Sequence, residues 1–242
     1  MAVAQRWWFS VPIPEVMNTA AHGASTSAVC QSPGSSIAYW PGLNHVPASA
    51  GLGGVIVWIN GAFGAGKTTV ATEVSLRLPG SMPYDPEMVG YFLGHVVPES
   101  ETGDFQDLPI WRTMVSDLAI ALHRHYGGPL VVPMTVVEPA YLAEIAVPIR
   151  EAGVDVHLFT LDVPATTLRE RITAQVMSPD DPEDDERIRR WRLDQVDRCV
   201  AALSEHDLGT PVSNAGRPPE DVAAEIVAAM SLSIDRGARA RA

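Results

Sequence analysis

The segment Val55–Thr69 constrains this chain more than any other, because an apolar run there meets a glycine-rich turn and then a helical pattern. Val55-Ile-Val-Trp-Ile-Asn60 is short and continuously apolar, as a parallel strand buried on both faces must be. Gly61-Ala-Phe-Gly-Ala-Gly66-Lys67-Thr68 follows it and reads G-x-x-x-x-G-K-[ST]. From Lys67 to Leu78, Val70, Val74 and Leu78 recur every four residues as one helix face, and Pro79-Gly80 ends the pattern. Strand, turn and helix in this order are the context that gives the spacing its phosphate-binding chemistry. Gly61, Gly64 and Gly66 let the backbone curl into a nest of N–H donors, and the helix start adds the positive end of its dipole. Lys67 is expected to reach the β- and γ-phosphates of ATP, and the Thr68 hydroxyl to ligate Mg²⁺. The expected nucleotide contacts are therefore Gly61, Ala62, Phe63, Gly64, Ala65, Gly66, Lys67, Thr68 and Thr69.

Beyond this segment the pattern alternates. A short strand is expected at Met82–Tyr84, closed by Asp85-Pro86, and a helix over Asp107–Tyr126 with Pro109 in its first turn. Leu130–Thr135 reads as a strand with Pro133 marking its end, and Tyr141–Ala152 as a helix kinked at Pro148. Val154–Leu161 is β-rich, Ala165–Gln175 and Arg187–Glu205 are helical, Thr210–Ser213 is a last strand and Pro218–Met230 a last helix. Strands alternating with helices imply βαβ units and about five parallel strands covered on both faces.

Residues 1–53 read differently. Ser, Pro, Gly and other small residues dominate Asn18–Gly54 without a sustained period, so a disordered N-terminal extension is expected there. An arm anchored by Trp7, Trp8 or Trp40 that covers substrate is the competing expectation. The domain is expected over 54–231 and a short tail over 232–242. Twenty-nine acidic against seventeen basic residues leave a net charge of −12, which argues against nucleic acid as a partner. Cys30 and Cys199 are the two cysteines and have no CxxC spacing, so neither a disulfide framework nor zinc is expected, and a cytoplasmic setting fits. No apolar run reaches the roughly 20 residues that span a bilayer. His123 and His125 stand two apart on a helix, on different faces, and make no metal pair.

The residues from about 55 to 230 resemble the ATP-binding tunicamycin-resistance proteins, a bacterial branch of the P-loop kinase-like fold. The resemblance rests on Trp58-Ile-Asn-Gly-Ala-Phe-Gly64, Tyr84-Asp-Pro-Glu87 with Gly90, Asp104-Phe-Gln106 with Pro109, Trp111 and Arg112, and Val132-Pro-Met-Thr135 with Pro139 and Tyr141. Phe159-Thr-Leu161 and Gln195 with Asp197-Arg-Cys-Val200 extend it. More distantly the chain is similar to chloramphenicol phosphotransferases, shikimate kinases and gluconate kinases. The resemblance implies a nucleoside-monophosphate-kinase-like sheet of order 2-3-1-4-5 with an Arg-rich lid. It also implies resistance to tunicamycin, a nucleoside antibiotic that mimics a UDP-sugar, through γ-phosphoryl transfer to a hydroxyl of the small molecule. ATP-dependent sequestration without transfer, and a metabolic small-molecule kinase, are the competing functions. The amphipathic C-terminal membrane helix of the family's founding member has no expected counterpart, because Ser231–Ala242 is short and weakly apolar. The oligomeric state is left open.

Three further parts are expected. Asp85, after the second strand, is the expected carboxylate that orients or deprotonates the acceptor hydroxyl, although an Asp-Pro turn alone would produce the same dipeptide. Asp104, Gln106, Trp111 and Arg112 are expected to form the acceptor pocket, with Trp111 serving a core equally well. Arg169 and Arg171, the acidic segment Ser178–Glu186, and Arg187, Arg189, Arg190 and Arg192 read as a cationic lid, with Arg171 expected to be catalytic. The competing reading is a solvated hairpin whose acids neutralise its arginines. No acid follows the Leu130 strand before Glu138, so magnesium is expected to rest on Thr68 and water, with Asp85 nearby.

Overall fold

The computed structural model describes residues 54–241, with side chains through Leu232; the expectations for residues 1–53 and for Cys30 lie outside the described residues. Five parallel strands form one sheet: β1 (Val55–Gly61), β2 (Met82–Pro83), β3 (Leu130–Pro133), β4 (Asp155–Asp162) and β5 (Thr210–Ser213). Their spatial order is β2-β3-β1-β4-β5, as the resemblance implies. β1 is central, pairing Val57 with Val131 on one side and with His157 on the other.

Every β1 residue is buried, and the alternation of a strand sends its side chains into two separate cores. Val55, Val57 and Ile59 face a core shared with α1 (Lys67–Arg77), α5 (Ala165–Ala174), α6 (Pro182–Glu205) and α7 (Pro219–Arg241). Ile56 and Trp58 face the other, filled by α2 (Glu87–Leu93), α3 (Pro109–Tyr126) and α4 (Pro139–Glu151). A parallel sheet covered on both faces places its ligand crevice at the carboxyl ends of the strands, where β1, β2 and β3 lead into the loops described below.

Three elements differ from expectation. α2 is a seven-residue helix between the second strand and the 3-10 turn at Phe105–Asp107, where no element is expected. α6 begins at Pro182, so Glu183, Asp184 and Asp185 stand in its first turn rather than in a loop. Asp181 caps it by accepting from the Asp184 N–H at 3.0 Å, and acids in a first turn are favoured by the helix dipole. α7 continues to Arg241, so its backbone runs through the segment expected as a tail. Pro148 lies inside α4; its missing N–H forgoes one helical bond, and Ala152 N–H still donates to the Pro148 carbonyl.

Candidate functional site

The turn between β1 and α1 is built from positive-φ glycines. Gly64 (φ 78°) and Gly66 (φ 87°) adopt backbone that other residues rarely take. Space forbids a side chain as well: a Cβ on Gly64 would stand 2.9 Å from Ile172 Cγ1, and one on Gly66 3.0 Å from Asn214 Nδ2. α1 starts directly after Gly66 with no side-chain cap and no acid in its first turn. The N–H groups of Lys67, Thr68 and Thr69 therefore have no partner within the helix and converge with the dipole on one concave spot. That donor set suits phosphate, and Thr68, exposed in the first turn, would be the side chain that holds a magnesium ion there.

The Lys67 ammonium donates to the carbonyls of Gly61 (3.1 Å) and Ala62 (3.0 Å), and lies 5.6 Å from the centre of the Phe63 ring. Burial lowers its pKa to about 8; Glu87 opposes that shift and Arg192 adds to it. Behind the turn, Asn60, wholly buried, donates to the Val136 carbonyl and accepts from the N–H groups of Gly61 and Val136. The Thr135 hydroxyl donates to the Gly61 carbonyl at 2.8 Å. On the opposite side Asn214, buried after β5, donates to the Ala65 carbonyl at 2.6 Å.

A cleft of about 540 Å³, open to solvent, begins at Phe63 and runs away from α1. Glu87, Asp104, Gln106, Asp107, Thr135, Glu138, Tyr141, Trp191, Gln195 and Arg198 supply its polar and aromatic lining. Gln106 sits in a 3-10 turn (Phe105–Asp107) that Asp104 caps, and its Nε2 donates to the Thr135 carbonyl at 3.0 Å. Burial raises the Asp104 pKa against the opposing pull of that backbone hydrogen bond. Tyr141 donates its hydroxyl to Asp107 at 2.9 Å.

The expected acceptor residues divide. Asp104 and Gln106 line the cleft. Arg112 lies beneath it, bonded to the Gln106 carbonyl, paired with Glu144 at 2.6 Å and 4.1 Å from the Tyr141 ring centre, so it shapes the wall from behind. Trp111 is a correction. It has no exposed surface, packs at 5.2 Å from Phe105 and donates to the Pro86 carbonyl at 3.1 Å, which makes it a core residue.

Asp85 is exposed beside the phosphate turn, outside the cleft lining, and its Oδ1 accepts from the Glu87 N–H at 2.9 Å. Desolvation by the surrounding protein raises its pKa, and that backbone hydrogen bond and Lys67 act against the rise. Arg171 does not face a lid. Its guanidinium donates to the Asn214 carbonyl at 2.8 Å and, at a longer 3.4 Å, to the Ala65 carbonyl, tying α5 to the back of the phosphate turn. Most of the arginines expected in a lid meet acids: Arg187 pairs with Asp184, Arg189 with Asp185 and Glu186, Arg190 with Glu186 and Arg169 with Asp197. Arg192 differs, reaching 5.7 Å from the Phe63 ring centre while Trp191 packs on the same ring at 4.9 Å.

Sequence reasoning passed over Asn60, Glu87, Thr135 and Asn214. Asn60, Glu87 and Thr135 stand inside the stretches that carry the family resemblance, so position in those stretches is their available signal. Asn214 follows a short edge strand with nothing local to mark it.

Comparison with known proteins agrees with this geometry. A search of curated proteins finds no match. Among solved structures, the tunicamycin resistance protein of Deinococcus radiodurans is 28% identical, with a TM-score of 0.58 over 73% of this chain and 95% of that one. A gluconokinase from Sinorhizobium meliloti 1021 is 15% identical, with a TM-score of 0.51 over 76% and 94%, and shares the fold. Residues 56–196, which hold the phosphate turn, most of the cleft lining and the start of α6, match one family model, and this chain belongs to that family, the AAA domain.

Proposed function

We propose that this protein is an ATP-dependent phosphotransferase acting on a hydroxyl of a tunicamycin-type nucleoside antibiotic or a related small molecule. The observation that carries the reading is a shared wall: Phe63 belongs to the phosphate turn and also lines the cleft, so donor and acceptor would meet across one side chain. The similarity to a tunicamycin resistance protein supports the choice of acceptor.

The residues divide the task as phosphoryl transfer requires, by position and by charge. The first-turn N–H groups and Lys67 would hold the β- and γ-phosphates, and Lys67 must leave the Gly61 and Ala62 carbonyls to do so. Thr68 would hold magnesium, which neutralises charge developing on the phosphate oxygens. Arg192, 5.7 Å from the Phe63 ring centre, would supply a second positive charge beside Lys67 at the junction of turn and cleft. Asp104, Gln106 and Tyr141 would orient a polar acceptor over Phe63.

The test is mass spectrometry of tunicamycin after incubation with the full chain, ATP and Mg²⁺, with Lys67→Ala as control. One added phosphate that the variant fails to add is the expected outcome. Drug that binds unchanged would replace phosphotransfer by sequestration, and absence of binding would remove tunicamycin as the ligand.

A further inference from the structure

The cleft carries four carboxylates: Glu87, Asp104, Asp107 and Glu138. Three are engaged. Asp104 Oδ1 accepts from the Gln106 N–H at 2.9 Å, Asp107 accepts from the hydroxyls of Tyr141 and Thr102, and Glu138 pairs with Arg198 at 3.5 Å. The Glu87 carboxylate has no hydrogen bond or ion pair among the described residues, although it is half-buried. It begins α2 directly after Asp85-Pro86, so the fold sets it where the cleft meets the phosphate turn.

From this contrast we infer that Glu87 is the catalytic residue that accepts the proton of the acceptor hydroxyl, in place of Asp85. The inference rests on the phosphotransfer reading above. The acceptor oxygen forms its bond to the γ-phosphorus while the bond from that phosphorus to the β–γ bridging oxygen breaks. The bridging oxygen leaves with the electron pair as ADP. The hydroxyl proton passes to a Glu87 carboxylate oxygen and is later released to water. Asp85 is less suited, since one of its oxygens is spent on the Glu87 N–H and it stands outside the cleft lining.

The charges around Glu87 favour the assignment. Lys67 on α1 and Arg192 on α6 stabilise its ionised form, Asp85 before α2 opposes it, and Tyr91 on α2 itself faces the same cluster. Burial dominates these and raises the pKa of Glu87, which makes it a stronger base than an exposed glutamate. Tyr91 is pushed up to about 12, chiefly by burial, and so stays a neutral hydroxyl donor near neutral pH.

The experiment compares the parent with Glu87→Gln, Glu87→Asp and Asp85→Asn, reading phosphate transfer to tunicamycin across pH and ATP binding by thermal shift. A positioned general base contributes roughly 10²–10⁴-fold, so Glu87→Gln is expected to lower kcat by about that range. Its KM for ATP should stay within about twofold, and the acidic limb of the pH profile should vanish. Glu87→Asp should recover part of the loss and keep that limb, and Asp85→Asn should cost less than about tenfold. Overturning results are a Glu87→Gln turnover within about threefold of the parent, a larger loss in Asp85→Asn, or a Glu87→Gln chain that no longer gains stability from ATP. A parent that binds ATP but transfers no phosphate would instead bring down the phosphotransfer reading itself.

Discussion

The phosphate turn and the α5–α6 hairpin use opposite economies of charge. In the turn, the first-turn N–H groups of α1 have no partner within the helix, and the cage around them holds no acid: it is built from Asn60, Thr135, Asn214, backbone carbonyls and the Arg171 guanidinium, which is spent on carbonyls. In the hairpin, the acids from Asp184 to Glu186 and the arginines at 187, 189 and 190 satisfy one another. The first-turn N–H groups are organised in advance for an anion, and only Lys67 has to turn from the Gly61 and Ala62 carbonyls toward it. The hairpin must break ion pairs before its arginines face a phosphate. Arg192 stands on the boundary, outside the paired set and above Phe63. Under the phosphotransfer reading, a hairpin built this way would recruit charge only by breaking ion pairs, and any contribution it makes should depend on salt more than that of the turn.

The sharpest way to break this contrast is Lys67→Ala. Loss of a preorganised charge of this kind costs on the order of 10²–10³ in turnover, measurable by product mass spectrometry, and no change would empty the turn of its assigned role. Next come Arg171→Ala and Asn214→Ala, which cut the ties from α5 and β5 to the Ala65 carbonyl. Each should lower stability by about 1–3 kcal/mol in denaturant unfolding, and unaltered midpoints would mean that the cage does not hold the turn.

A third prediction concerns protons. Because the Lys67 pKa is lowered to about 8, ATP binding should take up a proton near pH 9, as phosphate favours the ammonium form. Affinity should then weaken as pH rises through about 8, and calorimetry in buffers of different ionisation enthalpy reads the uptake. The sign for stability follows. Between about 8 and the ordinary value of 10.5 the unfolded chain binds more protons at this site, so the site's contribution to stability rises with pH there. Heat of binding independent of buffer would refute the shift. The smallest effect is expected from Arg190→Ala, whose side chain is 72% exposed against Glu186: unfolding should change by less than about 1 kcal/mol, and a larger change would make the hairpin more than a solvated charge pair.

Most of the fold was legible because its signals are local. The β1 run, the glycine spacing and the four-residue recurrence of Val70, Val74 and Leu78 each fit inside a dozen residues. α2 was not, because seven residues starting after Pro86 give fewer than two turns of periodicity. Trp111 shows a second limit: an aromatic early in a helix looks the same in a pocket wall and in a core, and only the packing against Phe105 and Pro86 separates them. The hairpin's neutralisation was written in the three- and four-residue spacing of Asp184, Asp185 and Glu186 to the arginines that follow. Asn214 meets Ala65 across 149 residues, a distance over which no window of sequence can see.

The bond from the Thr135 hydroxyl to the Gly61 carbonyl, with Gln106 held on the Thr135 carbonyl, welds one wall of the cleft to the phosphate turn. Descendants of this chain are therefore not equally free around the cleft. A change at Gln106 or Thr135 would disturb the nucleotide side as well, while Gln195 and Arg198 lie on α6, away from that weld. Substitutions that change which small molecule the cleft accepts should collect at those α6 positions, and the welded wall should stay as it is.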